Sequence, residues 1–345
     1  MLQCLDHRNP PARGDPQSLE PGIYPSGSSG GAGAALAAGT TTLATGSDIG
    51  GSIRGPAAMC GVVGFKPPYG RVPDAAPFNL DPYCHVGAMA RTVNDCAMMQ
   101  NVISGHHPQD IATVRQKMTI PMEYGSLSGK RIGYSLDISN EVVTKDVANQ
   151  TFKVLDALSD AGAIVEEVKL GWGHEVREGC KNYLNHLMGA ALTREVEAHP
   201  DQVCDYTKYF AGCAAETTAE EFLAAFDTAA DIYSRFGPMM ENGYYAFICP
   251  SFASYEMLAE QKPWDRITIG DRDFDSEYDL NTLAVFNMLS RLPALAVPAG
   301  IGENGRPIGV QIVARAFDDP RAFHVASVLQ EKMPWLDQAS RRPAL

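Results

Sequence analysis

The chain has 345 residues, 45% of them hydrophobic and 20% charged, enough to bury a sizeable core as one large domain or two smaller ones. Its formal net charge of −13 argues against binding nucleic acid or an anionic membrane, which needs a basic face, and no stretch reaches the roughly 18 apolar residues of a spanning helix. Eight cysteines are scattered without a C-x-x-C pair, so neither a zinc site nor a disulfide framework is indicated, and reduced, mostly buried thiols in a cytoplasmic protein are expected.

Residues 1–25 are rich in proline, glycine and charge and read as an extended N-terminal arm. Asp6, Arg8, Arg13 and Asp15 break any apolar run, so no secretory signal is evident. Next come two glycine-flanked serine clusters, Ser26-Gly27-Ser28-Ser29-Gly30-Gly31 and Gly46-Ser47-Asp48-Ile49-Gly50-Gly51-Ser52. Ordering so many glycines is entropically costly, which leaves three readings: a flexible linker, a phosphate cradle or a catalytic loop. The linker fits badly, because alanine-rich Ala32–Ala38 favours a helix that Gly39 would end, and Thr40–Thr45 reads as a short strand. The cradle is weak: there is no Gly-Lys-Ser/Thr, and the glycines do not fall as G-x-G-x-x-G after a strand. No cofactor is therefore expected, and no metal.

Further along, Ala97, Met98, Val102 and Ile103 fall at helical spacing, with Met98 and Met99 expected in the core. Lys130–Tyr134 is a strand candidate, Val147–Leu158 an amphipathic helix ended by Gly162, and Ile164–Leu170 alternates as a strand. A strand, helix and strand of these lengths suggest a parallel crossover. Residues 171–243 are helix-rich. His174, His186 and His199 lie too far apart in sequence to suggest a metal by themselves. Trp264–Asp279, dense in charge, reads as a loop over a pocket. Glu303–Gly305 is a hairpin turn with an apolar strand after it, and a last helix runs through Leu329.

Taken together, Gly27-Ser28-Ser29-Gly30-Gly31, Gly46 through Arg54, Pro56-Ala57-Ala58, Cys60-Gly61, Gly64-Phe65-Lys66-Pro67 and Tyr69-Gly70-Arg71-Val72 resemble the amidase signature family of serine hydrolases. The resemblance continues in Asn9-Pro10, in Gly87–Val93 with Asp95, in Leu127–Gly133 and Ala161–Ala163, and from Phe247 through Asn287, Pro298 and Gly300 to Gly305–Arg315. It implies an α/β fold with a central mixed sheet flanked by helices on both faces. The expected unit is an amidase signature domain over 26–335, N-terminally incomplete, with 171–243 as a variable substrate-side region. Trp172, Tyr183, Tyr206, Tyr209 and Phe210 are its candidates for substrate contact, against the alternative that they pack helices.

By the same resemblance, Ser52 is the acyl-accepting nucleophile and Ser28, joined to Gly27 by a cis peptide, relays its proton to a lysine. A serine hydroxyl needs such a base to become a competent nucleophile. Ile49, Gly50, Gly51 and Ser52 itself would offer N–H groups to the oxyanion formed on the attacked carbonyl. Gly27, Ser29, Asp48 and Arg54 would support the loop. The family's lysine lies several tens of residues before the cis serine, whereas 27 residues precede Ser28 and none is lysine. Lys66, the first, matches a position assigned to structure. A longer enzyme of which this is the C-terminal part is the plainest expectation; a lysine from another polypeptide and an inactive chain are the others. The implied function is hydrolysis of carbon–nitrogen bonds in small carboxamides or related acyl substrates. The alternatives are an amidotransferase subunit that passes ammonia to a charged tRNA among partner subunits, and a non-catalytic relative that binds amides or a partner. A homodimer is kept as one assembly.

Overall fold

The structure is a computed structural model that describes residues 24–138, 143–259, 261–262, 264–269 and 272–335. Most of the N-terminal arm, including Asn9-Pro10, and Cys4 lie outside the described residues. In chain order the helices are α1 (Gly30–Ala37), α2 (Arg54–Cys60), α3 (Val93–Ile103), α4 (Lys145–Asp160), α5 (His174–Ala198), α6 (Asp205–Glu216), α7 (Ala219–Asn242), α8 (Val285–Met288) and α9 (Asp319–Lys332). The strands are β1 (Leu43–Asp48), β2 (Val63–Lys66), β3 (His85–Ala90), β4 (Arg131–Tyr134), β5 (Ile164–Glu167), β6 (Ala246–Pro250), β7 (Ile267–Ile269), β8 (Arg272–Phe274), β9 (Ala294–Ile301) and β10 (Pro307–Val313).

Eight strands form one mixed sheet in the order β1-β3-β2-β9-β10-β6-β4-β5. It is antiparallel from β1 to β6, and β4 pairs in parallel with both β6 and β5. Helix α4 connects β4 to β5, the crossover that two parallel neighbours need. Strand β6, Ala-Phe-Ile-Cys-Pro, is buried along its whole length, and its side chains alternate between two cores. Ala246 and Ile248 join Val154, Phe323 and Val325 of α4 and α9, while Phe247 and Cys249 join Val176, Ile232 and Phe236 of α5 and α7. A third cluster gathers Leu36, Ile53, Ala57 and Met89 under α1 and α2. Helices therefore cover both faces, as the resemblance implies.

Several elements depart from the sequence reading. The first strand starts at Leu43 rather than Thr40 and runs to Asp48, because the N–H groups of Thr40 and Thr41 turn back to the Ala35 carbonyl. Met98 is half exposed: the buried stripe of α3 is Val93, Cys96, Ala97 and Gln100. Phe152 is exposed in the same way, as is Ile164 at the start of β5, an edge strand. Trp264–Asp279 is not an open loop, since β7 and β8 pair antiparallel within it. No helix among the described residues is long and apolar enough to cross a membrane.

Candidate active site

Strand β1 delivers Asp48 to the edge of the site, and α2 begins six residues later with Arg54. A helix start leaves backbone N–H groups unpaired, and here one carboxylate collects them. Asp48 Oδ1 accepts from Gly51 N–H at 2.8 Å, and Oδ2 accepts from Ile53 N–H at 3.2 Å and Arg54 N–H at 3.4 Å. The Arg54 guanidinium closes a fork on the same carboxylate, Nε to Oδ2 at 3.0 Å and Nη2 to Oδ1 at 2.9 Å. Both side chains are fully buried.

Burial opposes ionisation of Asp48, but the Arg54 charge and hydrogen bonds from Arg54 and Asn287 outweigh it and hold the carboxyl well below the usual carboxylate range. The remaining Arg54 donors reach the Leu283 carbonyl at 2.9 Å, Gln311 Oε1 at 2.6 Å and Asn287 Oδ1 at 2.6 Å. Asn287 Nδ2 donates to the Asp48 carbonyl at 3.0 Å. The ion pair is thus satisfied on both sides, the condition under which a buried pair is tolerated.

Pinned this way, Ile49–Ser52 forms a tight loop. Gly51 takes φ +115°, and a Cβ there would lie 2.5 Å from Leu283 Cδ1, so glycine is required twice over. Asn281 Nδ2 donates to the Gly50 carbonyl at 2.9 Å. The sequence reading offered the Gly51 N–H to an oxyanion; in the structure that N–H donates to Asp48 Oδ1. The N–H groups of Ile49, Gly50 and Ser52 meet no acceptor among the described residues.

The first serine cluster, Ser26–Gly31, abuts this loop. The Gly27–Ser28 peptide is cis, Ser29 N–H donates to the Ser52 carbonyl at 3.1 Å, and Ser29 Oγ donates to the Ser47 carbonyl at 3.4 Å. A side chain on Gly46 would collide with Ser29 Oγ at 2.7 Å. Gly27, Ser28, Ser29, Asp48, Ile49, Gly50, Gly51, Ser52 and Arg54 are in this way gathered into one locality.

Behind the loop Lys66 sits beside His85, a residue that the sequence did not single out. Lys66 Nζ, fully buried, donates to the Leu292 carbonyl at 2.8 Å and lies 3.5 Å from His85 Nε2. His85 Nδ1 is 3.1 Å from the Asp48 carbonyl and Nε2 is 3.1 Å from the Ser290 carbonyl, so in either tautomer the ring N–H has a main-chain acceptor. Burial, then the Lys66 charge, lowers the imidazole to about 3, and burial together with Arg54 depresses the ammonium. Lys66 is therefore a buttress, as its motif position suggested. The signal for His85 was its place just before the Gly87–Val93 motif, which periodicity does not interpret.

A narrow cleft adjoins the loop, lined in part by Val176, Cys180, Leu184, Asn281 and Val285. None of the five aromatic candidates for substrate contact lines it. Trp172 packs on Phe236 at 5.5 Å, Tyr183 stacks on Tyr83 at 3.4 Å and donates to Asp81 Oδ1 at 2.7 Å, Tyr206 meets the Tyr278 hydroxyl at 3.2 Å, and Tyr209 stacks on Trp264 at 4.7 Å. Phe210 is buried against Tyr278 at 5.6 Å. His174 is an exposed partner of Glu178 and His186 stacks on Phe222.

The family model described as Amidase matches residues 16–323. The A subunit of the glutamyl-tRNA(Gln) amidotransferase of Thermosynechococcus vestitus is 32% identical over 345 residues, covering 90% of this chain and 68% of its own length; that of Cyanothece is 29% identical, covering 91% and 69%. Among solved structures, 6-aminohexanoate cyclic dimer hydrolase superposes with a TM-score of 0.77 at 26% identity over 95% of this chain and 71% of its own. A bacterial aryl acylamidase superposes at 0.83 with 22% identity, over 95% and 70%, a likeness of fold.

Proposed function

The chain belongs to the amidase family, and from that premise we propose that it hydrolyses carbon–nitrogen bonds of carboxamides or related acyl substrates through an acyl-enzyme on Ser52. Ser28 relays the nucleophile's proton, and the N–H groups of Ile49, Gly50 and Ser52 receive the oxyanion, with Gly51 supplying the turn and its own N–H spent on Asp48. Gly27, Ser29, Asp48 and Arg54 hold the two serine segments in register. Residues 26–335 act as one amidase unit in which 171–243 forms the substrate side.

The observation that carries this reading is the junction of the two serine segments: Ser29 N–H bonded to the Ser52 carbonyl at 3.1 Å, beside a loop whose turn is fixed by a buried ion pair. Preorganised donors of this kind are worth about 3–4 kcal/mol each in other hydrolases. The resemblance implies a lysine as the final base, and Lys66 does not take that role, because its ammonium is spent on the Leu292 carbonyl behind the loop. Replacing Ser52 by alanine tests the assignment. Amide hydrolysis should vanish with the unfolding midpoint kept, and hydrolysis that survives rejects Ser52 as nucleophile.

A second reading, an amidotransferase component that releases ammonia within a complex, is favoured by the identity of 29–32% to such proteins over about nine-tenths of the chain. It predicts glutamine as amide donor and a rate that rises when the other components are added.

A further inference from the structure

We propose that Asn281 is a positioning residue for the acylation of Ser52: its amide locks the Gly50–Gly51 peptide and so aims the N–H groups on either side of it, an inference that rests on Ser52 being the nucleophile. Two of the three donors assigned to the oxyanion belong to Gly50 and Ser52, and the peptide between them joins two glycines. No Cβ on either side resists its rotation. Each of its polar groups is held instead by one side chain. Gly51 N–H donates to Asp48 Oδ1 at 2.8 Å, and the Gly50 carbonyl accepts from Asn281 Nδ2 at 2.9 Å.

The way the Asn281 amide faces follows from its other bond. Its Oδ1 accepts from Leu283 N–H at 2.6 Å, the Asx turn in which an asparagine oxygen takes the amide two residues on, and that leaves Nδ2 for Gly50. Asn281 has little freedom to follow a moving loop. It bridges to Phe252, and the next residue, Thr282, is anchored through Oγ1 to the Pro250 carbonyl at the end of β6, at 2.5 Å. Leu283 closes the same turn and packs on Gly51, where a Cβ would meet its Cδ1 at 2.5 Å. One turn thus grips both glycines, the first by a hydrogen bond and the second by contact. Asp48 does not substitute for it, because of this peptide it holds the N–H end alone. With the carbonyl end released, the peptide turns and both neighbouring N–H groups tilt with it. Donors serve a transition state when they are fixed beforehand, so the loss falls on the chemical step rather than on binding.

Two variants separate this role from a merely structural one. Asn281→Ser keeps an oxygen able to take the Leu283 amide but is too short to reach Gly50, and Asn281→Asp keeps the turn while putting an acceptor where the donor was. Fluorophosphonate labelling over a range of concentrations should show the maximal rate at Ser52 lowered at least about tenfold, with the half-saturating concentration within about twofold of wild type and the melting curve kept. In the same variants the Gly51 amide should exchange its hydrogen at least about tenfold faster by NMR, since the peptide is free to turn. If one variant melts early, the other decides. A maximal rate equal to wild type, a change carried by the half-saturating concentration alone, or unchanged Gly51 exchange would overturn the proposal. A wild-type chain that labels normally beside unaffected variants loses only the role of Asn281, whereas a wild-type chain that takes no label loses the hydrolase reading and this role with it.

Discussion

Asn287 Nδ2 donates to the main-chain carbonyl of Asp48 at 3.0 Å across a separation of 239 residues. The C-terminal third of the chain, through α8, thereby braces the turn on which the proposed chemistry depends. Asn287 also accepts from Arg54, so the end of β1, the start of α2 and α8 form one polar knot under the loop.

Removing the carboxylate from that knot should be expensive. Asp48→Ala leaves the Arg54 guanidinium buried without its counter-ion, and broken buried pairs cost about 3–5 kcal/mol. Urea unfolding followed by circular dichroism should show a loss of that size. A loss below about 1 kcal/mol, the range of surface ion pairs, would mean that the pair does not hold the site together.

Gly51→Ala should separate stability from reactivity. The new methyl group meets Leu283 at 2.5 Å in a left-handed conformation that L-residues rarely adopt, so the turn must open and the neighbouring N–H groups re-aim. Labelling of Ser52 should slow by at least about 100-fold, the size of effect seen when one oxyanion donor is lost. Trimming Leu283 to alanine in the same protein should not restore it, since the backbone conformation stays unfavourable.

Ser28→Ala tests the relay. Positioned proton transfer contributes typically about 10²–10⁴-fold, so this variant should label at Ser52 more slowly by a factor in that range, with an unchanged melting curve. A rate within twofold of wild type would remove Ser28 from the proton path.

The His85 imidazole carries a pH signature. Burial lowers it from its ordinary 6.5 to about 3, so between those values the unfolded chain binds a proton that the folded chain refuses. Stability contributed by His85 is therefore complete above about pH 6.5 and is lost as the pH falls through the window. Asp319 works in the opposite sense, because burial raises it from 3.8 to about 6, and comparison with His85→Asn cancels that contribution. The difference in urea midpoint between wild type and variant should shrink steadily from pH 7 to pH 4. A difference that does not change with pH would show that His85 is not held neutral.

What could be read from the residues alone was local. The serine clusters, the Ala-rich helix ended by Gly39 and the crossover built on Val147–Leu158 all follow from periodicity and turn chemistry within short windows, and the family motif supplied the central mixed sheet with helices on both faces, though not its strand order. What could not be read was set by distance in the chain. Asn281 meets Gly50 across 231 residues, Lys66 reaches the Leu292 carbonyl across 226, and nothing near any of these residues signals its partner. Side-chain facing was the other gap: Met98 is apolar at helical spacing yet half exposed, because α3 buries a stripe narrower than its composition suggests. The Gly51 N–H shows a third, since a glycine-rich turn can be foreseen while the acceptor its amide finds cannot.

The central claim, that Ser52 is the nucleophile of a preorganised site, is tested most directly by treating the chain with a fluorophosphonate and locating the adduct by peptide mass mapping. One adduct per chain on Ser52, absent from a folded Ser52→Ala variant, is the predicted result. An adduct on another serine, equal labelling of the variant, or none on the wild-type chain would contradict it.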